Sequence, residues 1–485
     1  MSLAQVTLRG VAWNFTELLL RRGIAAATTL VLALFLSPAD FGLISMSALF
    51  LTVASGLMDS GLREGLVRRR YLSTRLLNAA TVASISLGGV AYFLLFFSAP
   101  WISQFYSEPR LLLVIRIGGL SILFNALQLV PIARLQQTLN FKSLIGASFP
   151  ATLLSSFIAL VMAWAEAGVW ALIVQNLVAN ALMTMLLWRF SGNPGCRSVG
   201  GVNIRQILPL YRFGYKLFLS NLISLSVRNA TPGMLGKFIG ATAAGYYYFV
   251  DKIIEMVMGQ LVYSIQNVTY SAFSKISSEN QALLEGYRKV IVIMVFLISP
   301  ILMIGAGLAE PLFQTFFSRD WWPAADSFRW LCVAYLFYPM HALNLNILKV
   351  KGRSDLFLLL EAVKAAIALS VLWLALPHGL KGVLLGQVIV SIICYLPNAF
   401  YSKPLIGYSV AAQFMDTFPY FACSAAAGGV AVYLAGILVE RPAWFVVLTG
   451  ASIAVFVYLI LCKLLKLNAL PLLLHTFHRF RTRWI

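Results

Sequence analysis

Two sets of polar residues recur at helical spacing inside an otherwise oily chain. Asn14, Glu17, Arg21 and Thr28 are separated by 3, 4 and 7 residues, and Lys216, Ser220, Ser224, Arg228 and Thr231 by 4, 4, 4 and 3. Each set therefore lies on one face of a helix. Guanidinium and ammonium groups on such a face hold anions, and the neighbouring amide and hydroxyls add hydrogen bonds. Arg21, Arg228 and Lys216, with Asn14 and Ser224, are accordingly the candidate anion-binding residues of a cationic cavity. Glu17 has a second reading, as the group that neutralises Arg21, and Lys216 can instead extend its amine to an interface.

Three further charged groups stand out. Thr52, Ser55, Asp59 and Arg63 read as one continuing helix face, with Asp59 and Arg63 one turn apart and able to pair as a gate, while Arg68, Arg69 and Arg70 lie beyond as an anchor. Asp251, Lys252 and Glu255 form a second group, and Glu361 and Lys364 a third. Carboxylates in apolar surroundings can take up and release a proton or sodium ion, which makes these two groups candidates for ion coupling; self-neutralising structural pairs explain them equally. The neutral stripes Asn176, Asn180 and Thr184, Ser121, Asn125 and Gln128, and Gln387, Ser391 and Tyr395 are expected to bond neighbouring helices.

The elements that must carry these residues follow from composition. Of 485 residues, 60% are hydrophobic and 11% charged, against about 45–50% and about 25% for a soluble domain. The net charge of +20 raises nucleic acid as a partner, but the basic residues sit between long apolar runs, which argues against it. Cys196, Cys332, Cys394, Cys423 and Cys462 show no paired metal or redox spacing, and no cofactor is expected. The first apolar segment lacks the pattern of a removable signal peptide and is expected to stay in the protein. A membrane-crossing helix needs about 20 mostly apolar residues. Such segments read near 11–36, 43–62, 78–104, 111–133, 146–164, 168–188, 210–238, 242–273, 288–309, 327–349, 356–376, 382–400, 414–437 and 443–463. The chain is thus expected to be an all-α integral membrane protein of about fourteen helices.

Lys and Arg are retained on the cytoplasmic side of a membrane. With the N-terminus inside, the internal segments collect most of the basic residues, and the opposite side keeps only Arg110, Lys237, Arg319, Lys381 and Arg441. Both termini are therefore expected to be cytoplasmic, with the basic tail 475–485 against anionic lipid. Trp101, Trp164, Trp170, Trp321, Trp322 and Trp444 fall near external boundaries, where anchoring at the interface is their expected role. At an offset of 203, Leu32, Phe35 and Gly42 match Leu235, Phe238 and Gly245, and Arg9 matches Arg212. Six spans per unit give two six-helix lobes of like topology, with the ligand expected between them and two extra helices following. The divisions are 1–206, 207–405 and 406–485.

The segments "LSPADFGL" after the first span, "DSGLREGLV" at the end of the second and "RLQQTLNFK" at 134–142 resemble the PST-type, Wzx-like polysaccharide flippases of the multidrug/oligosaccharidyl-lipid/polysaccharide exporter superfamily. The resemblance covers essentially the whole chain. It implies transfer of an undecaprenyl-diphosphate-linked oligosaccharide from the cytoplasmic to the periplasmic leaflet of a bacterial inner membrane; alternating access by rocking of spans 1–6 against 7–12 is the expected route, coupled to an ion gradient or running downhill. The implied partners are that lipid-linked cargo, membrane lipids, and the polymerase and chain-length components of the pathway. It implies no catalytic residues and no enzyme activity.

Two rivals stand beside it. A membrane polymerase or ligase needs a large external loop, whereas the longest external connection is 310–326, with Arg319 and Asp320 its charged pair. A drug or cation exporter of the same superfamily would have about twelve spans and fewer cations suited to an anionic cargo. The chain contains no GxxxxGK[ST] segment for ATP.

Overall fold

The computed structural model of the chain describes residues 23–69, 71–138, 140–191 and 204–472, and every regular element among them is helical. The chain divides into two compact units, 1–248 and 249–485. In the first, α1 is Gly23–Leu32, α2 Pro38–Asp59, α3 Leu62–Arg68, α4 Thr74–Tyr106, α5 Arg110–Gly118, α6 Leu120–Gln137, α7 Phe141–Trp164, α8 Val169–Phe190 and α9 Ile204–Phe238. Helix α10, Ala241–Lys275, starts there and continues into the second unit. The second unit holds α11 Asn280–Gly307, α12 Ala309–Phe316, α13 Ala324–Ala334, α14 Tyr338–Val350, α15 Ser354–Ala375, α16 Gly379–Phe400, α17 Ser402–Ile406, α18 Val410–Ile437 and α19 Ala443–Leu464. Ten segments among the described residues are long and apolar enough to cross a membrane, and one of them, Asp355–Ile406, contains both α15 and α16. The 35-residue helices α9 and α10 are not among the ten. Their sequences carry Lys216 and Arg228 on α9 and Asp251, Lys252 and Glu255 on α10.

Caps and breaks set the ends of these helices. Ser37 and Asp40 form a capping box on α2, with Pro38 in the first turn; the Ser37 amide donates to Asp40 Oδ2 at 3.1 Å. Orphan amides at a helix start are satisfied in this way. Ser73, Asn140 and Ser409 accept amide hydrogens at the starts of α4, α7 and α18. The span expected near 111–133 is two helices, interrupted at Gly119, and that expected near 327–349 is α13 and α14 joined by a short 3₁₀ turn at Tyr335–Phe337. Some buried hydroxyls return to their own helix backbone, as Thr28 to Ile24 and Thr81 to Leu77 do, which satisfies them within the core.

Packing within each unit relies on small residues. In the first, α2, α4, α5 and α6 bury Ala54, Ala80, Ala99, Ala126 and Ala133 among Leu and Ile side chains. In the second, α11 and α18 meet at their backbones. A Cβ on Gly307 would lie 2.6 Å from the Gly428 carbonyl oxygen, and one on Gly428 2.7 Å from that of Met303. Ser299 and Ser424 Oγ, 2.6 Å apart, join the same helices. In lipid, where apolar burial gives no net drive between helices, such close approach supplies the dispersion that holds them. The helices after the expected repeat are thereby seated on α11.

Within the first unit, α9 packs along α2. Among the tryptophans, Trp101, Trp164 and Trp444 are exposed as interfacial anchors should be. Trp321 is not. It is fully buried, its ring centroid 4.3 Å from that of Phe249, because the 3₁₀ turn Arg319–Trp321 folds it inward.

Candidate functional site

The stripe on α9 is partly in view. Arg228 is exposed, Ser224 half-buried and Thr231 buried. Asn229 Nδ2 donates to Thr52 Oγ1 of α2 at 3.2 Å and to the Leu225 carbonyl at 3.0 Å. That bridge fixes the rotation of α9 on α2 and so determines which face carries Arg228. Asn229 stands one position off the polar stripe, so spacing alone did not single it out; its signal was an amide in an apolar run. Asn14, Glu17 and Arg21 lie outside the described residues, as does the side chain of Lys216.

Other basic residues within the expected spans have local partners. Arg116 lies 4.3 Å from the Phe96 ring centroid and its Nε donates to the Phe96 carbonyl. Arg329 pairs with Asp326 at 3.8 Å, Lys252 with Glu255 at 3.0 Å and Lys364 with Glu361 at 2.5 Å. Pairing lowers the cost of a cation at membrane depth, about 2.5–3.5 kcal/mol at a helix centre. These four are committed locally.

The gate residues depart from the expected continuous helix face. Helix α2 ends at Asp59, Ser60 adopts φ 44° and Gly61 φ 80°, and Arg63 belongs to α3. Two left-handed residues in succession break the helix. Asp59 still reaches Arg63, at 3.4 Å from Nη2, and Asp59 Oδ1 also accepts from the Arg63 amide at 3.3 Å. The carboxylate thus starts the next helix as well as pairing across the break. Arg63 Nε and the nearby Tyr211 hydroxyl are buried without a hydrogen-bond partner.

The candidate ion-coupling groups belong to the second unit. Asp251 Oδ1 accepts from Tyr335 OH at 2.6 Å, while Lys252 and Glu255 pair along α10 with 42% and 36% of their side chains exposed. Glu361 and Lys364 on α15 are more enclosed, at 18% and 19%. Lys252–Glu255 and Glu361–Lys364 are thus paired along their helices, and Asp251 accepts from a tyrosine hydroxyl.

Polar residues of the neutral stripes join helices. Gln128 Nε2 donates to the Asn180 carbonyl at 2.9 Å and Thr184 Oγ1 at 3.0 Å, linking α6 to α8. A larger network, of which the sequence singled out only Tyr395, centres on Asn344 and Gln413. Tyr287 OH and Ser402 Oγ both donate to Asn344 Oδ1 at 2.7 Å, Asn344 Nδ2 donates to Gln413 Oε1 at 3.0 Å, and Tyr395 OH donates to the same oxygen. Nearby, Arg288 makes a bidentate contact with Asp416 at 2.8 Å, and Tyr408 OH donates to Asp416 Oδ2. These residues come from five separated helices and one loop, so no local period marks them. Cys332, Cys394, Cys423 and Cys462 are buried free thiols, and among the described residues no three His, Cys, Asp or Glu side chains group as a metal site.

A family model described as "Polysaccharide biosynthesis protein" matches residues 31–326, more than half the chain. The chain belongs to that family. This Wzx-like family of the exporter superfamily includes the similar protein WzxC of Escherichia coli (strain K12), a lipopolysaccharide biosynthesis protein 23% identical over 84% of this chain and 83% of its own length. TuaB of Bacillus subtilis (strain 168), a teichuronic acid biosynthesis protein, is 22% identical over 77% of each chain. ExoT of Rhizobium meliloti (strain 1021), a succinoglycan biosynthesis transport protein, is 20% identical over 66% of this chain and 65% of its own. Among solved structures, the lipid II flippase MurJ in an inward closed conformation superposes with a TM-score of 0.75, at 13% identity over 95% of this chain and all of that one. An inward-facing MATE multidrug transporter gives 0.58 at 14% identity, covering 79% and 95%. These likenesses establish a MurJ- and MATE-like fold. The Wzx-like protein is a multi-pass membrane transporter of polysaccharide biosynthesis.

Proposed function

We infer that this Wzx-like protein carries an undecaprenyl-diphosphate-linked oligosaccharide from the cytoplasmic to the periplasmic leaflet of a bacterial inner membrane, with both termini cytoplasmic. The observation that carries the reading is Arg228, exposed on α9 with Ser224 one turn away and α9 held to α2 by Asn229 and Thr52. A cargo of this kind has an anionic, hydrated head and a lipid tail. The head needs a charged surface at membrane depth, whereas the tail can remain in hydrocarbon. A guanidinium makes bidentate hydrogen bonds to phosphate oxygens or an acidic sugar, and the serine hydroxyl adds one to a sugar.

In the proposed cycle Arg21 and Arg228, on the equivalent spans 1 and 7, hold the diphosphate, with Lys216 and Asn14 assisting. The six-helix repeats then alternate access between the two leaflets, and an ion gradient resets them through the carboxylates of α10 or α15. Asp59 and Arg63 stand at the cytoplasmic end of α2 on the orientation read from the charges. They hold the α2–α3 break in register as the mouth opens.

The test is export and lipid-linked oligosaccharide in a strain lacking the chromosomal copy. Loss of the protein is expected to leave the cargo on the cytoplasmic side, and Arg21→Ala with Arg228→Ala is expected to do the same at normal protein abundance. Full export by that double variant overturns the assignment of these cations. Accumulated drug, or unpolymerised units on the periplasmic side, would instead place the protein with the exporters or the polymerases.

A further inference from the structure

Gly42 and Gly245, 203 residues apart in sequence, take part in a reciprocal backbone contact. A Cβ built on Gly42, near the start of α2, would collide with the Ala241 carbonyl, 2.6 Å from its carbon; one on Gly245, near the start of α10, would collide with the Pro38 carbonyl, 2.7 Å from its carbon. The same Gly245 Cβ would lie 3.1 Å from the Gly42 amide nitrogen. The offset that relates Gly42 to Gly245 also relates Pro38 to Ala241. Each glycine therefore meets the residue one turn before the other glycine, and those two residues are themselves repeat-mates. A contact in which i meets j while j meets i is what a two-fold axis imposes.

The surroundings obey the same offset. Leu32 and Leu235 are both 0% exposed, Phe35 and Phe238 are 51% and 53%, and Thr28 and Thr231 are 5% and 8%. Two helices come this close only where a side chain is missing, as at paired small residues four apart. Ala241 and Gly245 supply that spacing on α10, and Gly42 supplies the gap on α2. The contact is rigid against compression, since any Cβ forces the backbones apart. It is weak against separation, since what joins these atoms is dispersion between a few pairs.

We propose that Pro38–Gly42 and Ala241–Gly245 form a pseudo-symmetric clasp that seals one end of the protein and parts once in each transport cycle. On the orientation read from the charges, that end faces the periplasm. The cycle part of the proposal rests on the flippase reading; the seal itself does not depend on the cargo. The two glycines are then equivalent, and adding one methyl group at either should hold the seal open.

The test uses the full-length protein in cells, with its five cysteines replaced by alanine and Ser55→Cys as a reporter. Ser55 is 17 residues along α2 from Pro38, about 26 Å inward at 1.5 Å per residue. Gly42→Ala and Gly245→Ala are each expected to raise the labelling rate of that thiol by an external, membrane-impermeant maleimide at least tenfold, and to cut export to below a tenth. Gly429→Ala, where an added Cβ meets nothing within 4 Å, should change neither. Unchanged labelling in both clasp variants overturns the proposal, whatever the export result. Raised labelling in a protein whose deletion leaves lipid-linked oligosaccharide export intact keeps the clasp and removes the cargo assignment. Should the alanine variants not accumulate, Pro38→Cys with Ala241→Cys leaves both glycines in place. Bridging that pair with a short bis-methanethiosulfonate, which forms a disulfide to each cysteine, should stop export until reductant is added. Failure to bridge, or full export when bridged, overturns the clasp.

Discussion

The Glu361–Lys364 pair offers a quantitative test of whether a charged residue in α15 serves structure or transport. Its side chains are 18% and 19% exposed and 2.5 Å apart, so neither charge has much water to fall back on. Removing one partner of a buried pair costs about 3–5 kcal/mol, because the other is left buried and uncompensated. At 1.4 kcal/mol per decade, Glu361→Gln should lower the folded-to-unfolded ratio by about two to three and a half orders of magnitude. Glu361→Gln with Lys364→Met removes both charges and should return stability to within about 1 kcal/mol of the parent, since a well-packed neutral pair is often as stable as the ionic one. Heating purified protein in detergent and measuring the monodisperse fraction that survives reads this directly. A single variant as heat-resistant as the parent would refute the structural argument. Export by the stable double variant then answers the second question: loss of its dependence on the ion gradient assigns the pair to coupling, and unchanged dependence assigns it to packing.

Asp251→Asn keeps an oxygen for the Tyr335 hydroxyl, so it should leave abundance unchanged; lost gradient dependence of export would make Asp251 an ion-coupling carboxylate. Ser37→Ala removes the cap of α2 and should cost about 0.5–2 kcal/mol, read as an earlier loss of monodisperse protein on heating. Gly428→Leu should disrupt the α11–α18 contact and lower the folded yield, whereas Gly429→Leu, directed into open space, should not. Glu108, in the turn before α5, is held below its ordinary value of 4.5 chiefly by its hydrogen bond from Arg110. Its contribution is therefore present above pH 4.5 and lost as pH falls through the lowered folded value. Glu108→Gln should flatten that acid limb in hydrogen exchange at the first turn of α5, and an unchanged limb would remove this pair as its cause.

The three segments that carry the family resemblance turn out to be punctuation. "LSPADFGL" holds the capping box of α2, "DSGLREGLV" the left-handed break between α2 and α3, and "RLQQTLNFK" the end of α6 with the Asn140 cap of α7. Caps and breaks depend on a few adjacent residues, so they can be read in one dimension, as can apolar length and the period that puts Ser224 and Arg228 on one face. The same locality misled at Asp59 and Arg63: their spacing is helical, yet the Ser60–Gly61 backbone between them is not.

Sequence by itself determined the all-helical membrane character, nearly all the span positions and the family, because lipid demands internally satisfied backbone over a fixed length. Tertiary structure alone decided which cations are already paired, that Asn229 sets the rotation of α9 on α2, and that Asn344 and Gln413 gather groups from distant helices. It also gave the 203-residue offset a physical form. Letters at Gly42 and Gly245 match in the sequence, but only packing brings each against the other's repeat, since contact between residues so far apart depends on how whole helices cross.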